Sequence, residues 1–105
     1  MTRPIVLQRA AHADLTAALD YYVTEAGEGV ALRFVQAFED ACRHIGAWPD
    51  TGSGRLGADL GLPSLRHWRI ESFPYAVFYV AQTDHVDVWR ILHLSSDIPA
   101  WMIEP

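Results

Sequence analysis

Residues 65–93 read LRHWRIESFPYAVFYVAQTDHVDVWRILH, and this stretch decides the fold. Its centre, Tyr75-Ala76-Val77-Phe78-Tyr79-Val80, is aromatic and β-branched, the composition of a sheet interior. Ser72-Phe73-Pro74 breaks the pattern before it, and Gln82-Thr83-Asp84-His85 breaks it after. The reading is three antiparallel strands, at 65–71, 75–81 and 86–92, paired in chain order through short turns. Alternation in the first strand puts His67, Arg69 and Glu71 on one face and Arg66, Trp68 and Ile70 on the other. In the third it puts Val86, Val88, Arg90 and Leu92 opposite Asp87, Trp89, Ile91 and His93.

Upstream the period changes from two to 3.6. Leu15, Ala18, Leu19, Tyr22 and Val23 form one apolar stripe, which predicts a helix over 11–24. Ala26-Gly27-Glu28-Gly29 ends it, with Gly27 as the capping residue. Val30, Phe34, Ala37, Phe38, Ala41, Ile45 and Trp48 mark the buried side of a second helix over 30–47. Gly46 weakens its last turn and Pro49 stops it. The short link implies an antiparallel hairpin that needs the sheet for stability. Residues 4–8 form a short strand before the helices, with Pro4 at its start. The fold class is therefore α+β, in the order β-α-α-β-β-β.

Residues 49–63, PDTGSGRLGADLGLP, read as a long loop, and the tail from Leu94, interrupted by Pro99, as irregular. A length of 105 residues implies one domain spanning 1–105. Half of the residues are hydrophobic, enough to fill one core. No apolar run approaches a membrane span and no signal-peptide core is present, so a cytoplasmic location is expected. The lone Cys42 reads as a small buried hydrophobe, and no internal disulfide is possible. Eight arginines carry all the positive charge, and the net charge is −5. That balance argues against broad nucleic-acid binding, which relies on many phosphate contacts.

The spacing of Gly52, Gly54, Gly57 and Gly61 lacks the helix and lysine of a nucleotide-binding loop. One cysteine and scattered histidines give no zinc pattern, so no metal or cofactor is expected. What remains is the set Arg69, Arg90, His93, Asp97 and Trp101. If the strands pair as read, Arg69 and Arg90 lie near each other. They either grip a phosphate or pair with Glu71, Asp87 or Asp97. His93 ends the last strand, as a structural histidine or a general base.

Several segments, taken in order, resemble the RelE/ParE family of toxins from bacterial toxin-antitoxin pairs. They are Arg9-Ala10-Ala11-His12-Ala13-Asp14-Leu15 with Asp20-Tyr21-Tyr22, Ala31-Leu32-Arg33-Phe34, Trp48-Pro49 with Gly52, Leu65-Arg66, Phe78-Tyr79, and Val88-Trp89-Arg90-Ile91-Leu92-His93 with Asp97. RelE-like members cut messenger RNA on the ribosome with basic residues and without a metal. The resemblance puts arginine where this chain has Ala76, and a basic run where it has Leu94-Ser95-Ser96-Asp97. Arg69 alone falls where a catalytic lysine is expected. The ParE-like branch, which lacks the nuclease residues and poisons DNA gyrase by binding it, fits better.

The resemblance therefore implies a gyrase-binding toxin neutralised by an adjacent, ParD-like antitoxin. Arg69, Arg90 and His93 are the catalytic candidates of the alternative, a ribosome-dependent endoribonuclease. A second alternative is an inert relative that only binds an antitoxin. The implied antitoxin dock lies around the helical hairpin, with Tyr21, Tyr22, Phe34, Phe38 and Trp101 as contact residues. An acidic toxin facing an antitoxin that is often acidic implies an interface of apolar burial with weak salt dependence.

Overall fold

The computed structural model describes residues 2–103. The elements are β1 (Ile5–Leu7), α1 (Arg9–Ala26), α2 (Glu28–Ala47), α3 (Arg55–Asp59), β2 (Leu65–Arg69), β3 (Tyr75–Ala81), β4 (Val86–His93) and α4 (Ile98–Ile103). They form a four-stranded sheet in the order β1-β4-β3-β2. β2, β3 and β4 are the expected antiparallel meander, and β1 adds in parallel beside β4. The helical hairpin is the crossover that a parallel pair requires.

The link between α1 and α2 is Gly27 alone, at φ 91° and ψ 168°. Only glycine visits that region at low cost, so one residue reverses the chain. Gly46 has a different role from the weak point read from sequence. It is buried in α2, and its carbonyl accepts the Arg3 N–H at 2.9 Å. A Cβ there would lie 2.7 Å from the Arg3 carbonyl oxygen, so glycine lets the chain entering β1 pass close to the helix.

Both faces of the sheet are covered, as the unbroken apolar run of β3 requires. Val77, Tyr79, Val86, Val88 and Ile91 pack with Phe34, Phe38, Ala41 and Ile45 under the hairpin. Leu65, Ala76, Phe78, Val80 and Leu92 form a second cluster, covered by Leu56, Leu62, Trp89, Ile98 and Met102. Residues 49–63 are therefore not the structureless loop read from sequence. Their apolar residues build α3 and cap the second face. The tail is likewise helical over α4, because Pro99 sits in the first turn, where no helical N–H is needed.

Strict alternation fails in β4. Tyr79 pairs with Val88 and Phe78 with Arg90, so Trp89 is an extra residue in a β-bulge. Val86 and Val88 face the helices, and after the bulge Ile91 does so. Arg90, just past the bulge, belongs to neither apolar cluster, and its guanidinium reaches Asp14 on α1.

The buried Tyr79 hydroxyl ties the 49–63 segment to the sheet. It donates to the Pro49 carbonyl at 2.7 Å and accepts the Gly52 N–H at 3.0 Å. Removing it strands that buried N–H. Tyr79→Phe should cost about 1–3 kcal/mol in urea denaturation. A cost near zero would mean that solvent replaces the hydroxyl.

Candidate functional site

β1 stops at Leu7, and the Gln8 N–H closes its ladder on the Val88 carbonyl at 2.9 Å. Among the described residues, no strand neighbours β4 on this side past that point, and α1 supplies a substitute. Asp14 Oδ2 accepts the Ile91 N–H at 2.9 Å and Arg90 Nε at 2.8 Å. Its Oδ1 accepts Arg90 Nη2 at 2.8 Å. The side chains are 10% (Arg90) and 14% (Asp14) exposed. The hydrogen bonds to Asp14 raise the Arg90 pKa against the opposing effect of burial. One of the two sequence readings paired the arginines with Glu71, Asp87 or Asp97, and neither named Asp14, which grips Arg90 from 76 positions away.

Arg69 is exposed on β2. It pairs across to Ala76, and Ala76 pairs to Leu92, whereas Arg90 lies opposite Phe78 and His67. β3 thus separates the two arginines, and Arg90 is turned to α1. They are not the joint phosphate grip that one of the sequence readings allows. His93 Nδ1 receives the Ser95 N–H at 3.1 Å and lies 2.6 Å from Ser95 Oγ. Its ring is edge-on to Tyr75 at 5.1 Å. His93 therefore shapes the turn after β4. The three catalytic candidates occupy three separate environments.

The partner candidates divide too. Phe34 is 0% and Phe38 8% exposed, so both belong to the core rather than to a docking surface. Tyr22 packs among Phe34, Phe73 and Tyr75, with ring centroids 5.1, 5.2 and 6.1 Å away. Burial raises its phenol pKa. Tyr21 is 57% exposed. The Trp101 side chain lies outside the described residues. Val23, read as part of the buried stripe, is open, and Leu32, which the reading missed, is more open still. Leu32 falls off the α2 stripe, and an apolar residue on the polar side of a helix is the signal that marks it. Tyr21, Val23 and Leu32 thus leave exposed apolar surface on both arms of the hairpin.

A groove of about 900 Å³ runs between α2 and β2. Arg33, Asp40, His44, Trp68, Arg69 and Glu71 are among its lining residues. The His44 ring stacks on Trp68 at 4.2 Å and 16°, and its Nε2 lies 3.0 Å from Thr51 Oγ1. Among the described residues, no group of three or more His, Cys, Asp or Glu is placed to hold a metal ion. No described helix is long and apolar enough to cross a membrane. Cys42 is half-buried, and burial, with Glu39 nearby, pushes its thiol up to about 12, so it stays protonated and unreactive.

On the second face, His67 stacks on Phe78 at 5.3 Å, and its buried Nδ1 has no hydrogen-bond partner among the described residues. Burial holds its pKa below the ordinary 6.5. The unfolded chain therefore takes up this proton before the native one does. The stability it contributes is complete above 6.5 and is lost as pH falls below that value. His85 has the opposite sign. Its hydrogen bond to Asp84 raises its pKa, so its contribution is present below 6.5 and lost as pH rises through the folded value. Comparing His67→Gln with the parent isolates the first effect. The parent should lose more stability than the variant between about pH 7 and 5.5 in urea denaturation. Equal slopes would show that His67 titrates normally.

The family model for the ParE toxin of the type II toxin-antitoxin system, parDE, matches residues 5–98. No curated protein matches the chain. Among solved structures, the chain is similar to one described as the chromosomal ParDE TA system from P. aeruginosa. That match has a TM-score of 0.71 and 25% identity, and it covers 88% of this chain and 96% of the other.

Proposed function

The chain belongs to the ParE toxin family of type II toxin-antitoxin systems, and on that premise we propose that it arrests growth by binding DNA gyrase. We further propose that an antitoxin encoded beside it neutralises it by docking on the helical hairpin. The observation that carries this reading is the exposed trio Tyr21, Val23 and Leu32. Apolar side chains on a helical pair suit an amphipathic antitoxin helix that orders on binding. The separation of Arg69, Arg90 and His93 supports action by binding over RNA cleavage. Cleavage needs cations gathered around one phosphate to stabilise its anionic transition state, and Asp14 already occupies Arg90. The gyrase target itself rests on family membership.

The test is induced expression of the chain in bacteria, with and without the neighbouring open reading frame. The expected result is growth arrest with filamentation and DNA-damage induction, intact messenger RNA, and rescue by the neighbour. Message cut at ribosomes would overturn the gyrase reading. Full growth at good soluble expression would overturn toxicity and leave an antitoxin-binding module.

A further inference from the structure

Residues 49–53 lie as a strap along the outer edge of the sheet. Among the described residues, β2 is the outer strand on this side. Its His67 turns both backbone groups outward to Ser53, with the N–H donating at 3.0 Å and the carbonyl accepting at 2.9 Å. Ser53 is thus a one-residue bridge that the chain lays on its own edge. A bare edge is a template for pairing with another chain, so the strap is also a guard.

Three side chains fasten it. The Tyr79 hydroxyl holds the Pro49 carbonyl and the Gly52 N–H. Arg66 Nη1 donates to the Asp50 carbonyl at 3.1 Å and to the Gly52 carbonyl at 2.7 Å. Thr51 Oγ1 donates to the Trp48 carbonyl at 2.9 Å, so it accepts from His44 Nε2 at 3.0 Å. The fit is close, because a Cβ on Gly52 would collide with the Tyr79 hydroxyl and lie 2.9 Å from the His67 carbonyl oxygen. None of these bonds needs a proton that comes or goes between pH 5 and 7. A phenol and a guanidinium donate throughout, and an imidazole Nε2–H donates in either charge state.

The His67 ring differs. It lies on Phe78 of the second apolar cluster, with Nδ1 buried and unpartnered among the described residues. A proton added there creates an N–H without an acceptor and a charge against apolar surface. The Phe78 face attracts a cation weakly, but burial wins and lowers the His67 pKa. The charged groups on the packed elements are Arg55 and Asp59 on α3, Asp50 in the strap, and Arg66 and Arg69 on β2 itself. β3 carries none, and Asp97 precedes α4. None of them offsets the new charge, since burial is the one cause of the shift.

We propose that protonation of His67 releases residues 49–53 from β2, which makes the strap an acid-opened guard over the edge of the sheet. Opening lets water reach Nδ1 and frees the outward N–H and carbonyl of His67. The closed state binds the proton less well than the open one, so acid shifts the population toward open.

The experiment is amide hydrogen exchange on the full chain at pH 7 and 5.5, corrected for the intrinsic pH dependence of exchange. The Ser53 and His67 amides report the strap. The Ile70 amide, which turns inward to the Tyr75 carbonyl on the same strand, reports the sheet. The opening constant at Ser53 and His67 should rise about three- to eightfold on acidification. The larger figure is the limit for an imidazole that never charges while the strap is closed. Ile70 should change less, and in His67→Gln the opening constant should be the same at both pH values. A flat profile in the parent would overturn the proposal, whether or not the variant folds. An equal rise at Ile70 would overturn it too, because acid would then loosen the sheet as a whole. A His67→Gln chain that keeps the parent's pH dependence would assign the effect to another group.

Discussion

Asp14→Ala should destabilise the protein by about 3–5 kcal/mol, because it leaves a guanidinium desolvated without its counter-charge. Exposed ion pairs contribute little, since water and salt screen them. This pair is different. Its side chains are 10% and 14% exposed, and the carboxylate accepts both guanidinium nitrogens and a backbone amide. Against a total stability of about 5–15 kcal/mol for a domain, the loss is severe. It has three parts: an uncompensated cation, an orphaned Ile91 N–H, and an uncapped β4 edge. Asp14→Asn keeps an oxygen acceptor and should lose less. Asp14→Ala with Arg90→Met removes both charges and should recover part of the loss, since the double variant buries no unpaired charge. Urea denaturation measures all three. A single-variant cost under about 1 kcal/mol would show that water reaches the pair, as at an ordinary surface site. The Ile91 amide offers an independent check, because its hydrogen exchange should accelerate in Asp14→Ala even where the fold persists.

The same contact marks where sequence reading stops. Local features were legible. The aromatic, β-branched run of β3 announced a sheet interior, and the stripes of α1 and α2 announced a hairpin. The family resemblance then implied the order β-α-α-β-β-β. What the sequence hides is nonlocal. Nothing in the alternation of residues 86–93 announces a bulge at Trp89, which moves Ile91 to the helix side. Nor does anything local announce that Arg90, just past the bulge, turns to a carboxylate on α1 that lies 76 positions away. Asp14 itself reads as a polar residue off the stripe, the ordinary mark of a solvated helix face. Periodicity also gives the direction of a face without its depth. Val23 and Phe34 both lie on stripes, yet Val23 is 49% exposed and Phe34 0%. Which end of a stripe the sheet covers depends on strand lengths and crossing geometry, and these are tertiary facts. Residues 49–63 were misread for a related reason. Four glycines and two prolines suggest a free loop, but Leu56 and Leu62 are the apolar cover that the second sheet face needs.

Phe34 turns that difference in depth into an experiment. Its ring meets Tyr22 and Phe73 with centroids 5.1 Å away and Tyr75 at 5.4 Å. It joins α2 to α1, to the turn before β3 and to β3 itself. Phe34→Ala should therefore cost about 3–5 kcal/mol, the transfer free energy of the ring plus the cavity left behind. Phe34→Leu refills most of the space and should cost less. Leu32→Ala, two residues away but 64% exposed, should change stability by no more than about 0.5 kcal/mol. Antitoxin binding should show the reverse order. Leu32→Ala and Tyr21→Ala should weaken it, while Phe34→Ala, assayed cold enough to stay folded, should bind like the parent. Mass action sharpens the contrast, because a partner at a hundred times its dissociation constant returns about 2.7 kcal/mol to any variant that still binds. Phe34→Ala should therefore gain as much thermal stability from the partner as the parent gains. A Phe34→Ala chain that is folded but deaf to the partner would mean that this ring is displaced outward on binding. The hairpin would then open to receive the antitoxin rather than present a finished surface.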